Sequence, residues 1–175
     1  MRKLKNSELG RLSNSEFKRT KKTPLIVVLD NIRSLNNIGA VFRTSDAFLI
    51  EKIYLCGITA TPPHRDIHKT ALGATASVAW EYVNDIHELI ENLRAAGVVI
   101  MAIEQADQSI ALNDFRPTDK THAVIFGNEV KGVQQSVVDA ADYCLEIPQF
   151  GTKHSLNIAV SCGVVLWELF NKLKD

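Results

Sequence analysis

Apolar residues along this chain gather in short continuous runs, and between the runs they recur at helical spacing. The runs are LIVVLD (25–30), KIYLCG (52–57), VVIMAI (98–103), HAVIFG (122–127) and YCLEIP (143–148), each expected to be a strand. The first, continuous and apolar, fits a strand covered on both faces. NNIGAVFRTSDAF (36–48) instead puts Ile38, Val41, Phe42 and Ser45 on one face, the pattern of an amphipathic helix. A short helix is expected around Ile67–Leu72 and a further strand near Val78–Tyr82. IHELIENLRAAG should be a helix opened by Asp85 and ended by Gly97. A helix around Ser136–Ala140 and a long one over Ser155–Leu173 complete the order. Strands alternating with helices predict an α/β fold, a parallel sheet wrapped on both faces, in one domain over residues 23–175.

The last helix departs from the amphipathic pattern. From Ile158 to Phe170 it is apolar almost all round, so it must be buried on more than one face. One sheet covers one face, and a second subunit is expected to cover the other, with Gly163 permitting close approach. A homodimer is therefore expected.

Charge adds a division that the net value of zero conceals. Residues 1–22 hold eight Lys and Arg against Glu8 and Glu16, a net of +6, which leaves −6 on the rest. A basic arm on an acidic body suggests contact with a polyanion, and a solvated, partly disordered terminus is the simpler alternative. No apolar run approaches the ~18 residues that span a bilayer, so no membrane association is expected. Cys56, Cys144 and Cys162 are odd in number and lie among apolar neighbours. They fit small core residues of a reducing compartment, and a cytoplasmic protein is expected.

Ligands of parallel sheets bind at the carboxyl ends of the strands, so candidate chemistry is sought there. No G-x-G-x-x-G follows the first strand. GNEVKGV (127–133) has the glycine spacing of a phosphate loop, but Val133-Gln134 stand where Lys-Ser/Thr is required, and Glu129 would repel phosphate. There is no G-x-S-x-G, C-x-x-C or H-E-x-x-H. His64, His68, His87, His122 and His154 lack metal-ligand spacing and fit surface or hydrogen-bonded residues. Hydrolase, nucleotide-triphosphatase and metalloenzyme readings lose their main support, and no metal is expected.

Three strand-end segments remain: LNNIGAVFRTSDAF (35–48), AVIFGNEVKGV (123–133) and LEIPQFGTKHSLNIAVSCGVVLWEL (145–169). In order, spacing and chemistry they resemble the three motifs of the SpoU, or TrmH-like, RNA methyltransferases of the SPOUT class. The resemblance implies a parallel-sheet α/β knot with a deep C-terminal trefoil, a homodimer, and S-adenosyl-L-methionine as cofactor. It implies methyl transfer to a ribose 2′-hydroxyl of RNA, with a D-loop guanosine of tRNA favoured and ribosomal RNA the alternative. A noncatalytic RNA-binding protein that keeps the knot fold is a further alternative. Carried onto this chain, Asn37 and Arg43 are the first motif's functional residues, with Gly39 between them. Glu129 is the carboxylate of the second, and Ser155 and Asn157 are the polar pair of the third. Gly127, Ile147 and Leu156 fall at the cofactor, with Ile103 and Glu104 from the preceding strand end. The family assigns a base role to Arg43, but a guanidinium with a pKa above ~12 is a poor base, and a phosphate clamp is the weaker alternative. RNA contacts are expected from Arg2, Lys3 and Arg11 of the arm and from Arg33, Arg65 and Lys69 near the strand ends.

Taken singly, each assignment has a plainer rival. Asn37, Ser155 and Asn157 are good helix caps, Gly127, Gly132 and Gly151 fit turns, Glu129 fits a solvated loop carboxylate, and Arg43 fits a surface arginine. Their joint order favours the family.

Overall fold

The computed structural model describes residues 1–174, so Asp175, the last residue of the expected domain, lies outside the described residues. Seven strands form one sheet: β1 (Thr23–Asp30), β2 (Ile50–Cys56), β3 (Trp80–Val83), β4 (Val99–Ile103), β5 (Ile110–Ala111), β6 (His122–Phe126) and β7 (Tyr143–Glu146). The order is β3-β2-β1-β6-β4-β7-β5, and every pairing is parallel. The helices are α1 (Asn14–Arg19), α2 (Leu35–Ala47), α3 (Arg65–Ala71), α4 (Ala74–Ser77), α5 (Ile86–Ala95), α6 (Gln135–Ala140) and α7 (Ile158–Leu173). A 3₁₀ turn over Asn6–Glu8 precedes them.

The continuous apolar runs behave as buried strands because the pleat feeds two cores. Leu25, Val27 and Leu29 of β1 enter one core with residues of α2, α3, α4 and α7. Ile26 and Val28 enter the other with α5 and with Val137 of α6. Successive side chains alternate between faces, so a strand covered on both sides has no polar position to spare. Late strands are inserted between earlier ones: β6 lies between β1 and β4, and β7 between β4 and β5. This brings the segments that follow β4, β6 and β7 together at one end of the sheet.

Several sequence expectations shift in detail. The strand expected at Val78–Tyr82 is Trp80–Val83, because α4 occupies the residues before it. The short helix begins earlier, at Arg65, and ends where Leu72 adopts a left-handed φ of 49°. The two-residue edge strand β5 carries too little pattern to be read from sequence. The C-terminal helix starts at Ile158, not Ser155, because Asn157 is its cap and accepts from the N–H of Ala159 and Val160. The cap of α2 is Ser34, whose hydroxyl accepts from the N–H of Asn37.

The basic segment is tied to the body rather than loose along its length. α1 opens with a capping box between Ser13 and Glu16, and Phe17 is buried in the core. Lys22 sits over the Phe17 ring at 4.6 Å and donates to the Phe17 carbonyl. One buried aromatic thus anchors an otherwise polar segment. Phe17→Ala should cost about 3 kcal/mol in urea unfolding, the lower range for a buried Phe because the site lies at the edge of the core. A loss below about 1 kcal/mol would mean that α1 is not part of the cooperative unit.

Candidate functional site

A cleft of about 640 Å³ opens at the carboxyl ends of β4, β6 and β7. Its walls are the loop Gly127–Val133 after β6 and the segment Ile147–Asn157 after β7, with Ile103, Glu104 and Gln105 between them. Eight of the residues singled out from sequence line it: Ile103, Glu104, Gly127, Glu129, Ile147, Ser155, Leu156 and Asn157.

The loop Gly127–Val133 is held from four sides. Asn128 accepts from the N–H of Val130 and Lys131, at 3.0 and 3.1 Å, and donates to the Asn31 carbonyl at 2.8 Å. Glu129 accepts from the N–H of Arg33 and of Ser34, both at 3.0 Å, and from the Asn37 amide at 3.4 Å. Glu104 accepts from the N–H of Val133 at 2.9 Å. Gln134, just past the loop, donates to the buried carboxylate of Asp30 at 2.9 Å. Glycine is required at the loop's start, since a Cβ on Gly127 would lie 2.3 Å from the backbone of Gly132 and Val133.

Asn37 connects this loop to the third segment. Its amide nitrogen donates to Glu129 and its oxygen accepts from Asn157 at 3.2 Å. The oxygen of Asn157 in turn caps α7. Asn37 does not line the cleft, and Asn157 serves as cap and site residue together. Ser155 is exposed on the cleft wall and is not the cap that its position suggested.

Glu129 is engaged rather than solvated. Burial pushes its carboxyl up, but the N–H groups of Arg33 and Ser34, with the Asn37 amide, outweigh burial and hold it below the ordinary carboxylate range. It is an anion committed to backbone donors, which makes it a poor proton acceptor. Arg43 sits on α2 with its side chain exposed. Among the described residues it has no ion-pair partner. Gly39 fixes the helix that carries it: a Cβ there would lie 2.3 Å from the Ile67 carbonyl and 2.1 Å from the Thr70 hydroxyl, so α2 packs directly on α3. Glu104, Glu129 and Glu146 line the cleft together with one lysine, Lys131, a net acidic lining that favours a cationic ligand over a phosphate.

Residues 24–167 match the model of the SpoU rRNA Methylase family. The chain belongs to that family. This SpoU-family chain is 31% identical over 153 residues to an uncharacterized tRNA/rRNA methyltransferase of Borreliella burgdorferi, covering 87% of itself and 66% of that relative. It therefore spans a little under two thirds of that relative's length. To the tRNA (guanosine(18)-2′-O)-methyltransferase of Thermus thermophilus it is 30% identical over 167 residues, 93% of this chain and 82% of that one. Among solved structures it resembles the AdoMet-bound rRNA methyltransferase of Sinorhizobium meliloti, with a TM-score of 0.82, 28% identity, and coverage of 90% and 60% of the two chains.

The remaining assignments divide. Arg65 and Lys69 are exposed on α3, whose Thr70 donates to the Asn36 carbonyl, so they flank the start of α2. Arg33 gives its backbone N–H to Glu129 and leaves its side chain exposed. Lys3 and Arg11 are exposed in the arm, whereas Arg2 is paired with Glu8 at 2.7 and 2.9 Å. The thiols are sequestered: burial pushes Cys56 up to about 12 and Cys162 well above the ordinary range. Sequence reasoning missed Ser34, Gln105, Asn128 and Gln134. Asn128 alone carried a signal, as an Asn directly after a strand-ending Gly in a turn.

Glu129→Gln should lower stability by about 1 kcal/mol at neutral pH, a value discounted because the group is partly exposed. The Glu129 pKa is depressed in the folded state, so its contribution is complete above pH ~4.3 and disappears as pH falls through the depressed value. The gap between wild type and Glu129→Gln in urea unfolding should therefore be full at pH 7 and narrow towards pH 3. A gap unchanged at pH 3 would show that charge on Glu129 is not what holds the junction.

Proposed function

We propose that this chain transfers the methyl group of S-adenosyl-L-methionine to a ribose 2′-hydroxyl of RNA. The observation that carries the proposal is the Glu129–Asn37–Asn157 chain, which joins all three motif segments at one carboxylate-lined cleft. The cleft's residues fit the donor: Glu104, Glu129 and Glu146 against Lys131 leave the lining net acidic, which suits a sulfonium cation, and the looped backbone offers N–H and C=O groups for adenine and ribose. When bound, the donor would supply a methyl group: an O–C bond forms at the ribose as the C–S bond breaks, the electron pair stays on sulfur as a neutral thioether, and the hydroxyl proton passes to water. The protein's part is alignment, which alone can supply several kcal/mol of such a barrier.

Arg43 is assigned to the RNA. Its exposed guanidinium pairs with a phosphate beside the target ribose, orienting the 2′-hydroxyl and stabilising charge that develops on it. Arg33, Arg65 and Lys69 extend the cationic surface across the strand ends, and Lys3 and Arg11 extend it along the arm. Val130 and Phe150, 76% and 97% exposed on the two loops of the cleft, offer apolar faces to a nucleobase. The first substrate to test is tRNA, with a D-loop guanosine as the target, because the Thermus relative that carries this activity is spanned over 82% of its length. Ribosomal RNA is the second. The C-terminal knot and a cytoplasmic location belong to the same reading.

A homodimer completes it. α7 buries Cys162, Val165, Leu166 and Leu169 but leaves Val160, Val164 and Trp167 exposed at 53, 40 and 54% on its outer side, with open space beside Gly163. A second copy is the proposed cover. Light scattering at micromolar concentration should give twice the chain mass, and a monomer would remove this element.

The decisive assay is methyl transfer from labelled S-adenosyl-L-methionine to tRNA and rRNA transcripts, followed by mapping of the modified ribose. Arg43→Ala should cut turnover at least a hundredfold while donor affinity stays within about threefold, since one positioned charge–phosphate contact is worth roughly 3 kcal/mol in such sites. Near-normal turnover on a methylated RNA would overturn the role of Arg43. Donor and RNA binding without transfer would leave an RNA-binding protein.

Deleting residues 2–12 removes Arg2, Lys3, Lys5 and Arg11 yet spares the Phe17 anchor. The truncation should weaken RNA binding and flatten its dependence on log salt, by about 0.7–0.9 for each phosphate that the arm no longer neutralises. An unchanged slope in filter binding would take the arm out of RNA recognition.

A further inference from the structure

We propose that Glu104 and Gln105, the two residues that follow β4, are a positioning pair that sets the spacing of both loops around the donor cleft; this rests on the reading that the cleft takes S-adenosyl-L-methionine. The two side chains diverge to opposite walls. The Glu104 carboxylate accepts from the N–H of Val133 at 2.9 Å through one oxygen and from the N–H of Gln105 at 2.8 Å through the other. The Gln105 amide donates to the His154 carbonyl at 2.7 Å. One wall is thereby fixed at Val133 and the other at His154, both from one point on the strand between them.

The backbone of the pair is itself fixed. The N–H of Glu104 donates to the Leu145 carbonyl at 3.1 Å, and its carbonyl accepts from the Cys144 thiol at 3.4 Å. The pair therefore stands on two adjacent strands of the sheet, a rigid base for two irregular loops. Glu104 also packs against Gly132: φ there is +69°, which already favours glycine, and a Cβ would in addition lie 2.2 Å from the carboxylate oxygen. Loop geometry and carboxylate position determine each other. A carboxylate occupied in this way does not need to touch the donor to govern its binding, since it decides where the N–H and C=O groups of Gly127–Val133 point. Among the residues lining the cleft, these two connect β4 to both walls through their side chains.

Glu104→Ala should raise the donor dissociation constant at least tenfold in calorimetric titration and raise its KM in the same proportion, while kcat on saturating donor stays within threefold. Glu104→Gln keeps one acceptor oxygen and should recover part of the affinity. Gln105→Ala, at an exposed position where folding is not at risk, should raise KM severalfold. Donor affinity within twofold of wild type in both Glu104→Ala and Gln105→Ala overturns the proposal, as does an equal fall in kcat and affinity without rescue by Glu104→Gln. A wild-type protein that takes up no donor overturns the cleft's assignment instead. The pair is then judged by amide exchange in the free protein, where Glu104→Ala must speed exchange at Val133 and unchanged protection there overturns it.

Discussion

The carboxylate of Glu129 is the junction on which the site depends. Its two oxygens take three donors, the N–H of Arg33, the N–H of Ser34 and the side chain of Asn37, from a segment more than ninety residues earlier in the chain. Backbone N–H groups in a bend between a strand and a helix have no ladder to join, and a fixed anion satisfies them strongly. Because Asn37 passes the connection on to Asn157, a single anion fixes the relative positions of three segments far apart in sequence. The commitment has a chemical consequence. A carboxylate held below its ordinary range by these donors organises charge but does not readily accept a proton.

That junction works only because the sheet order delivers its parts. β6 enters beside β1, so the loop after β6 meets the bend after β1, and β7 enters beside β4, so its trailing segment faces the same end. Close packing then removes slack. Gly39 lets α2 lie against the backbone of α3, and Gly127 lets its loop fold onto Gly132 and Val133. At both places the neighbour is chiefly backbone, which cannot rotate away as a flexible side chain would.

Much of this was legible in the sequence because the physics is local and repetitive. The interior strands declared themselves through continuous apolar runs, and α2 through the spacing of Ile38, Val41, Phe42 and Ser45. The site segments were legible at strand ends through their joint resemblance to three family motifs, although each polar residue taken singly also fitted a cap, a turn or a surface position. What could not be read were pairings that depend on which loop meets which. Ser34 rather than Asn37 caps α2, because the helix begins at Leu35 and Asn37 lies within its first turn, which leaves its side chain to Glu129 and Asn157. Of the two caps that the sequence offered for α7, Ser155 and Asn157, the structure uses Asn157, a choice over half a turn that periodicity cannot resolve in an apolar helix. Phe17 joins the core from a stretch whose composition is that of a solvated tail, since one aromatic in a polar segment leaves no period to detect.

Charge is separated over the site in a way that matches the two reactants proposed for it. Glu104, Glu129 and Glu146 line the interior against a single lysine, Lys131, with Glu104 and Glu129 both fixed by backbone donors, and the exposed cations Arg43, Arg65 and Lys69 lie on α2 and α3 outside the cleft. A cationic methyl donor is favoured within and an anionic chain without, so the two would approach the reaction point from opposite electrostatic sides. The separation also bears on the proton. Glu129 is held as an engaged anion, and a guanidinium remains charged at any physiological pH. Neither is suited to abstract a proton before the methyl group begins to move. Under the proposed reaction the arrangement would favour a late proton loss: the 2′-oxygen would be aligned first, and its hydrogen would become acidic as the O–C bond formed. In such a sequence the protein's contribution would be positional and electrostatic, which is consistent with Glu104, Glu129 and Asn157 being bonded to backbone rather than left free.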